Sequence, residues 1–371
     1  MNLPRVWVTG AGGLIGNCLI QSAPQFAPGW QVIGLRRGDL ELTDFPALRA
    51  RFRAEAPDAV LHCAAIAHPP ICQREPETAR RVNIDVTRQI AELTADRPLF
   101  FFSSDLVFDG KRGDYDESDA PNPVTVYAET KVLAEQIVLA NPRHTVLRLS
   151  LNFGKSPTGN RAFNEMLRND LAAGKSFSLF TDEYRCPTAA RVTARATWEL
   201  LNQRAAGLFH LCGADRLSRW EIANLLLPHW PALAGRIQPD TVKNYQGPPR
   251  PQDSSMNCGK VQRRLSFRLP GMAEALLANP ADVTWGMRGH TAAGSRPPRR
   301  VTCTSATRAP FGRRSNEPKS AGARWCCAMT ISIASAARQS SSTRCSRTCA
   351  GSASIGKKAR TWEDRTHLTR K

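Results

Sequence analysis

Tyr127 and Lys131 are the pair of side chains in this sequence whose types and spacing suit proton transfer. Residues 127–131 read Tyr-Ala-Glu-Thr-Lys and open a predicted helix that continues to about Ala140. A spacing of four places Tyr127 and Lys131 on one helical face. A nearby ammonium favours the phenolate, so we expect Lys131 to lower the pKa of Tyr127 from about 10 towards neutrality, where a phenol can donate or accept a proton. Alone, such a spacing is typical of a surface pair.

Two predicted strands must bring further groups to the same place. Residues 99–102 read Leu-Phe-Phe-Phe, which is typical of a buried parallel strand, and they lead into Ser103-Ser104-Asp105. Residues 59–65 form another predicted strand, which ends in small side chains that leave room for a cofactor. Because parallel strands end at one edge of a sheet, both strand ends are expected beside the pair on the helix.

A glycine-rich turn follows the first predicted strand. Residues 8–16 read Val-Thr-Gly-Ala-Gly-Gly-Leu-Ile-Gly, between a short strand and a helix. The first glycine can take a sharp turn, the third lets backbone N–H groups approach a pyrophosphate, and the fourth lets the helix pack closely on the strand. An ordinary glycine turn is the alternative. The predicted cofactor-binding residues of this loop are Gly10, Gly13, Leu14, Ile15 and Gly16.

The end of the second predicted strand indicates which dinucleotide is bound. Residues 31–35 form this strand, and Arg36 and Arg37 follow it. An NAD-binding fold usually has Asp or Glu there for the ribose 2′-hydroxyl, whereas guanidinium groups suit a 2′-phosphate. The sequence therefore predicts NADP, with NAD and two solvated arginines as the alternative.

Positive charge is concentrated at the end of the 371-residue chain. Residues 281–371 hold 18 Lys and Arg against 4 Asp and Glu, and so carry +14 of the formal net charge of +19. This segment lacks the periodicity of a packed domain, so we predict a disordered, low-complexity basic tail. Three interpretations stay open: a non-native translation product, a solvated tail, or an arm that binds nucleic acid. The abrupt change of composition after residue 280 favours the first, so nucleic acid is not an expected partner.

Cysteine usage and hydropathy favour a cytoplasmic protein. Six of the 11 cysteines precede residue 280 at irregular spacings, and several lie in apolar runs as small buried hydrophobes. His62, His68 and Cys72 are near one another in sequence, but the first ends a strand and the second lies in a proline-rich loop, so no metal is predicted. Neither a leader pattern nor an apolar run of membrane-spanning length occurs, so no membrane partner is expected.

The glycine loop, Ser104 and the Tyr127-x3-Lys131 pair occur in an order that resembles an extended short-chain dehydrogenase/reductase. Further motifs make the sequence similar to the dTDP-4-dehydrorhamnose reductase family over about residues 4–278. Those motifs are Glu75-Pro76-Glu77-x-Ala79, Val82-Asn83, the run 103–110 (Ser-Ser-Asp-Leu-Val-Phe-Asp-Gly), Tyr115-x-Glu117, Pro187-Thr188, the run 207–211 (Gly-Leu-Phe-His-Leu) and Arg250-Pro251.

The resemblance implies an α/β fold with a Rossmann-type, doubly wound parallel sheet and a small C-terminal substrate lobe. We predict an NAD(P)-binding core at residues 1–155 and a substrate-binding lobe, partly interleaved with the core, at residues 156–280. The basic tail at residues 281–371 lies outside the resemblance. A homodimer is left open.

The resemblance also implies roles for the three candidate catalytic residues. Tyr127 would protonate a sugar ketone as hydride arrives, Lys131 would hold the nicotinamide ribose and tune Tyr127, and Ser104 would bind the carbonyl oxygen. These roles suit the chemistry, because hydride addition builds negative charge on that oxygen.

Further residues are assigned to cofactor and substrate. By the resemblance, Ala64 and Ala65 would line the dinucleotide groove. Arg185 and Arg250 are predicted to bind the phosphates of a nucleotide-sugar, since guanidinium groups pair well with phosphate.

Two substitutions distinguish this sequence from the family pattern. Leu106 stands where these reductases usually have Tyr, and Leu151 stands where they usually have Trp. We therefore predict NADP-dependent reduction of a keto group on a nucleotide-sugar or related carbonyl, and the two substitutions argue against dTDP-4-dehydrorhamnose as that substrate. The alternatives are an NAD-dependent nucleotide-sugar epimerase or dehydratase that uses the same three residues, and a non-catalytic NADP-binding regulatory subunit.

Overall fold

Residues 3–247 and 249–284 are described in a computed structural model of the chain. The strands are β1 (Arg5–Thr9), β2 (Gln31–Leu35), β3 (Ala59–His62), β4 (Leu99–Ser104), β5 (Thr145–Leu149), β6 (Asn152–Phe153), β7 (Phe177–Phe180), β8 (Tyr184–Arg185), β9 (Thr188–Ala189), β10 (Gly207–Leu211), β11 (Leu217–Ser218) and β12 (Ile237–Asp240). The α-helices are α1 (Leu14–Phe26), α2 (Phe45–Glu55), α3 (Pro69–Arg74), α4 (Pro76–Arg80), α5 (Val86–Leu93), α6 (Val126–Leu139), α7 (Phe163–Ala172), α8 (Ala190–Asn202), α9 (Arg219–Leu226), α10 (Gly259–Gln262) and α11 (Met272–Ala278).

Six parallel strands form the central sheet in the order β2-β1-β3-β4-β5-β10. The chain builds outward from β1 in both directions, so the predicted doubly wound sheet is confirmed. The direction of winding changes between β1 and β3. In such sheets ligands bind in the crevice at the carboxyl ends of the strands on either side of this change.

Alternate side chains of the strands pack into two separate layers. Val8 and Phe100 lie in the layer that includes α1 and α8, where the buried indole of Trp198 donates from Nε1 to the Leu19 carbonyl at 3.1 Å. Trp7 lies in the opposite layer, with residues of α2, α5 and α6. Helices therefore cover both faces, which is why the strands are apolar runs without polar alternation.

The local predictions hold where the hydrophobic pattern is regular. Strand β2 has the predicted bounds. Helices α4 and α5 are separated by a π-helical turn at Arg81–Asp85. At this turn the buried Asn83 side chain accepts from the Ile66 backbone N–H at 2.8 Å and donates to the Ile66 carbonyl at 3.2 Å. The helix thus tethers the chain that follows β3.

The smaller lobe has its own core and continues past the predicted boundary at residue 280. Val283 is fully buried, and its carbonyl accepts the indole N–H of Trp230 at 2.8 Å. Arg191 of α8 pairs with Asp282 at 3.1 Å. The packed chain therefore reaches at least Val283, whereas most of the predicted basic tail lies outside the described residues.

None of the helices within residues 3–247 and 249–284 combines the length and apolar character that a bilayer crossing requires.

Candidate functional site

The turn between β1 and α1 has a backbone that requires glycine. Gly10 has a φ of +68°, and a β-carbon there would lie 2.8 Å from the backbone nitrogen of Ala64. A β-carbon on Gly16 would collide with the Gly10 carbonyl, so the helix approaches the loop as predicted. No side chain caps α1 and its first turn has no acidic residue. Backbone N–H groups therefore face the crevice, an arrangement that fits a pyrophosphate.

A buried hydrogen-bond chain fixes the ends of β1 and β3 around this loop. Thr9 Oγ1 accepts the Ala64 N–H at 3.2 Å and lies 2.7 Å from His62 Nδ1. His62 Nε2 lies 3.1 Å from Thr87 Oγ1. Burial lowers the pKa of His62 to about 3, so the imidazole is neutral. His62 is thus a structural group, and Ala64 lies beside Gly10 at the predicted groove.

The two predicted 2′-phosphate ligands differ in their surroundings. Ala11 N–H donates to the Leu35 carbonyl at 3.1 Å, so Arg36 follows directly where the glycine loop meets β2. Arg37 is 88% exposed and pairs with Glu41 at 3.0 Å. Arg36 is exposed, and its guanidinium has no hydrogen bond or ion pair with the residues that the structure describes. Of the two arginines, Arg36 is therefore the one whose guanidinium is available to bind a 2′-phosphate.

Ser104 and Tyr127 meet at the carboxyl end of β4. Ser104 is 9% exposed, and its Oγ accepts the Leu106 N–H at 3.2 Å. Tyr127, in the first turn of α6, is 6% exposed. Burial raises the pKa of Tyr127 well above its ordinary value, and the neighbouring Ser104 hydroxyl opposes that rise only in part. Two of the three predicted catalytic residues thus come together.

Lys131 lies one turn after Tyr127 but is directed at the backbone of β4. Its Nζ donates to the Phe102 carbonyl at 2.6 Å and lies 4.3 Å from the Phe101 ring centre. Burial lowers the pKa of Lys131 to about 8, although Glu135 opposes this change. The expectation that Lys131 lowers the pKa of Tyr127 is wrong for this structure, because burial dominates at Tyr127 and raises its pKa.

A buried ion pair lies behind Lys131, and the family motifs in the sequence do not include its carboxylate. Glu135 follows Lys131 by one helical turn and accepts from Arg148 at 2.7 Å and 3.0 Å, with both side chains 3% exposed. Ser103 Oγ donates to the same carboxylate at 2.5 Å. The signals available in the sequence were the repeat of four along α6 and an arginine within an apolar run. Glu135 supplies a fixed negative charge next to the lysine.

The two arginines predicted to bind phosphate converge on one carboxylate. Glu183 is fully buried and accepts from Arg250 at 2.7 Å, Arg219 at 2.8 Å and Arg185 at 3.2 Å. Burial would raise the pKa of Glu183, but the three guanidinium groups hold it far below its usual range. Arg185 is buried and also lies 3.7 Å from Asp105. Only Arg250, one-third exposed, keeps a surface for a ligand.

The positions that depart from the family pattern lie in different clusters. Leu106 packs with Tyr127 and Cys72, so the wall beside the tyrosine is apolar. Leu151 packs in the core of the smaller lobe with Phe153. Within residues 3–247 and 249–284, no cluster of His, Cys, Asp and Glu could hold a metal ion.

The sequence pattern described as the RmlD substrate binding domain matches residues 4–283, which include every residue of the site above. The chain belongs to this family. The resemblance to extended short-chain dehydrogenase/reductases of the dTDP-4-dehydrorhamnose reductase type is thereby confirmed. The RmlD family match also spans the glycine loop, the central sheet and the smaller lobe, so all three are parts of one family architecture.

Relatives of this RmlD family member carry different names. The chain is 28% identical over 308 residues to Methionine adenosyltransferase 2 subunit beta of Bos taurus, covering 77% of this chain and 91% of that protein. It is 28% identical over 289 residues to the Probable low-salt glycan biosynthesis reductase Agl14 of Haloferax volcanii, covering 73% and 96%. The crystal structure of dTDP-4-dehydrorhamnose reductase from Bacillus anthracis in complex with NADP has a TM-score of 0.68, with 21% identity and coverage of 75% and 98%. That last likeness shows the fold.

Proposed function

We propose that this protein is an NADP-dependent reductase that acts on a keto group of a nucleotide-sugar or a related carbonyl compound. The observation that carries the proposal is the meeting of Ser104 and Tyr127 at the carboxyl end of β4, with Lys131 one turn further along α6. Lys131 is near enough to the end of β3 for its charge to affect the pKa of His62 and of Cys63. The end of β3 in turn lies against Gly10 of the glycine loop, which supports one shared crevice.

The chain's own groups suit the protonation half of a carbonyl reduction. NADPH would supply the hydride to the carbonyl carbon. With its pKa raised, Tyr127 keeps its proton at neutral pH and can donate it to the oxygen that becomes negative. Ser104 Oγ lies beside that phenol, and its hydroxyl, which donates to Asp105 Oδ1 at 3.2 Å in this structure, would turn to donate a second hydrogen bond to that oxygen. The Lys131 ammonium can hold a ribose hydroxyl at the same edge.

The cofactor assignment rests on the glycine loop and on Arg36. The loop presents uncapped backbone N–H groups, and Arg36 leaves the sheet directly beside it. The structure of the Bacillus anthracis relative contains NADP, which supports a dinucleotide at this place. Arg36→Ala should therefore weaken NADPH binding and leave NADH binding unchanged, whereas Arg37→Ala, which removes a partner of Glu41, should have a smaller effect. Equal losses for NADPH and NADH in titrations would contradict the 2′-phosphate role.

A second candidate function is an NADP-binding subunit of another enzyme. It is favoured by the relatives named Methionine adenosyltransferase 2 subunit beta, and by Leu106 in place of a tyrosine beside the candidate acid. Such a protein would need the cofactor groove and would not need turnover at Tyr127.

Turnover by the full-length protein separates the two functions. NADPH oxidation is followed with a panel of nucleoside-diphosphate 4-keto-sugars, for wild type and for Tyr127→Phe. For a reductase, we expect Tyr127→Phe to lower kcat/KM by about 10²–10⁴-fold with NADPH affinity retained. Tyr184→Phe is the matched control, because it removes a phenolic hydroxyl from the smaller lobe. NADPH binding without oxidation by any substrate in the panel would favour the subunit, and continuous NADPH consumption would exclude a simple epimerase or dehydratase.

A further inference from the structure

Two thiols outside the candidate active site lie in direct contact. Cys212 follows β10 and Cys258 precedes α10, and their Sγ atoms are 3.1 Å apart. The Cys212 backbone N–H also donates to Cys258 Sγ at 3.2 Å. Cys212 is fully buried, whereas Cys258 is half-buried. Cys258 is therefore the less enclosed residue of the pair, and the sulfur of Cys212 is held against its sulfur.

We propose that Cys212 and Cys258 form a reversible disulfide when the protein meets a peroxide. A disulfide bond is about 2.05 Å long, so the sulfur atoms must approach each other by about 1 Å. The movement is small because the contact is already made in the reduced protein.

The oxidation is a two-step reaction with hydrogen peroxide as the oxidant. The Cys258 thiolate attacks one peroxide oxygen, the O–O bond breaks, and the products are a sulfenic acid at Cys258 and a hydroxide that takes up the thiol proton as water. The Cys212 sulfur then attacks the Cys258 sulfur, the S–O bond breaks, and the hydroxyl leaves with the Cys212 proton as a second water. Two electrons pass from the two sulfurs to the peroxide.

The order of the two steps follows from accessibility. Cys258 is the less enclosed of the two residues, and its sulfur accepts the Cys212 backbone N–H. Cys212 is enclosed and so acts second. Cys186 lies on Cys212 as well, but Cys186 is 4% exposed, so that competing pair lacks an accessible thiol.

The bond would fasten α10 to the edge strand of the central sheet, against which α10 already packs. It would join β10 to the start of α10 and close a loop of residues 213–257, which carries β11, α9, β12 and Arg250. Closing a loop restricts the unfolded chain, so the oxidised protein should unfold at a higher temperature than the reduced one.

Peptide mapping of the full-length protein tests the proposal. Trypsin should place Cys186, Cys212 and Cys258 on separate peptides, 186–191, 205–216 and 244–260. After brief peroxide treatment and alkylation of free thiols, we expect a cross-linked species of peptides 205–216 and 244–260, two hydrogen masses below their sum, which dithiothreitol removes. Recovery of both peptides in the alkylated form, or a link from 205–216 to 186–191, would overturn the proposal.

Variants identify the pair and the order of attack. Cys258→Ser should abolish the cross-link, whereas Cys186→Ser and the matched half-buried control Cys63→Ser should retain it. In Cys212→Ser the sulfenic acid has no partner, so dimedone should label peptide 244–260. Labelling absent from that peptide, in protein whose circular dichroism matches wild type, would contradict Cys258 as the entry thiol.

Discussion

The buried carboxylate of Glu135 lies one helical turn from Lys131, and its charge should raise the pKa of the lysine. Burial lowers the pKa of Lys131 to about 8, and the negative charge of Glu135 opposes the change. Glu135 is held in place by Arg148 and Ser103, so its charge stays at a fixed distance. Glu135 is thus a positioning residue that acts through Lys131 and touches no substrate.

This arrangement predicts a pH profile for Glu135→Gln. If the Lys131 ammonium is required, kcat/KM of the wild type falls above about pH 8, the pKa of Lys131. The neutral glutamine no longer favours the ammonium, so the pKa of Lys131 drops further and the alkaline limb should move to lower pH. The measurement is kcat/KM against pH for NADPH oxidation.

Glu129→Gln is the control for this experiment. Glu129 lies on the same helix, is 45% exposed and pairs with Arg80 at 3.2 Å. Glu129→Gln should leave the pH of the alkaline limb of kcat/KM unchanged. A lower rate for Glu135→Gln with an unshifted limb would show that Glu135 only supports the fold.

Site residues could be predicted from the sequence where one short segment carries the signal. Gly10, Ser104 and Tyr127 follow local patterns of strand ends and helix starts. The direction of the Tyr127 pKa could not be predicted, because helical spacing says nothing of how much protein covers the phenol. Glu135 was equally hidden, since its importance comes from Arg148, which a different strand contributes.

At the scale of elements, strand β5 shows the same limit. The hydrophobic pattern assigned no element to residues 145–149, yet this strand lies inside the sheet, between β4 and the edge strand β10. Arg148 interrupts its apolar run, and the guanidinium is buried there because Glu135 of α6 supplies its counter-charge and His210 Nε2 lies 3.3 Å away. Strand β2, whose apolar run is uninterrupted by charge, was predicted to the residue.

The short strands of the smaller lobe depend on Glu183. This carboxylate joins Arg185 of β8, Arg219 at the start of α9 and Arg250 of the following loop. Glu183→Gln leaves buried guanidinium groups without their counter-charge, and we expect it to lower the free energy of unfolding by about 3–5 kcal/mol. Urea denaturation at neutral pH checks this, with the exposed Glu92→Gln as the control; a loss no larger than that of the control would contradict it.

The contribution of Glu183 to stability should also depend on pH. The pKa of Glu183 is far below its value in the unfolded chain, so the unfolded state binds this proton first as the pH falls. The stability that Glu183 contributes is present above its unfolded pKa of about 4.3 and is lost progressively below it. Wild type should therefore lose stability more steeply than Glu183→Gln in this range. Parallel curves of unfolding free energy against pH would count against the assignment.

At the scale of the whole molecule, the contacts of Val283 set where the packed chain ends. A protein of residues 1–280 lacks this buried valine and the carbonyl that accepts the Trp230 indole N–H. A protein of residues 1–284 keeps both. We expect the shorter protein to be less stable by about 2–4 kcal/mol, from one buried side chain and one unsatisfied donor. Equal urea midpoints, followed by tryptophan fluorescence, would refute this.

The general architecture was predictable because three independent sequence features indicated the same fold. Strand runs, the glycine turn and the order of the motifs all favoured a doubly wound sheet, and the sheet order confirms it. The position at which packing ends was less predictable, since composition changes near residue 280 while Val283 packs on Trp230 from far away in sequence.

The Glu135–Arg148 pair also constrains how sequences of this kind can diverge. Losing either charge alone leaves the other buried and uncompensated, whereas replacing both with apolar side chains of similar volume is far less costly. A substitution at one of the two positions is therefore disfavoured until the other position also changes. Among relatives, a chain that lacks a basic residue at the place of Arg148 should also lack the acid at the place of Glu135, and the two positions should be inherited as a unit.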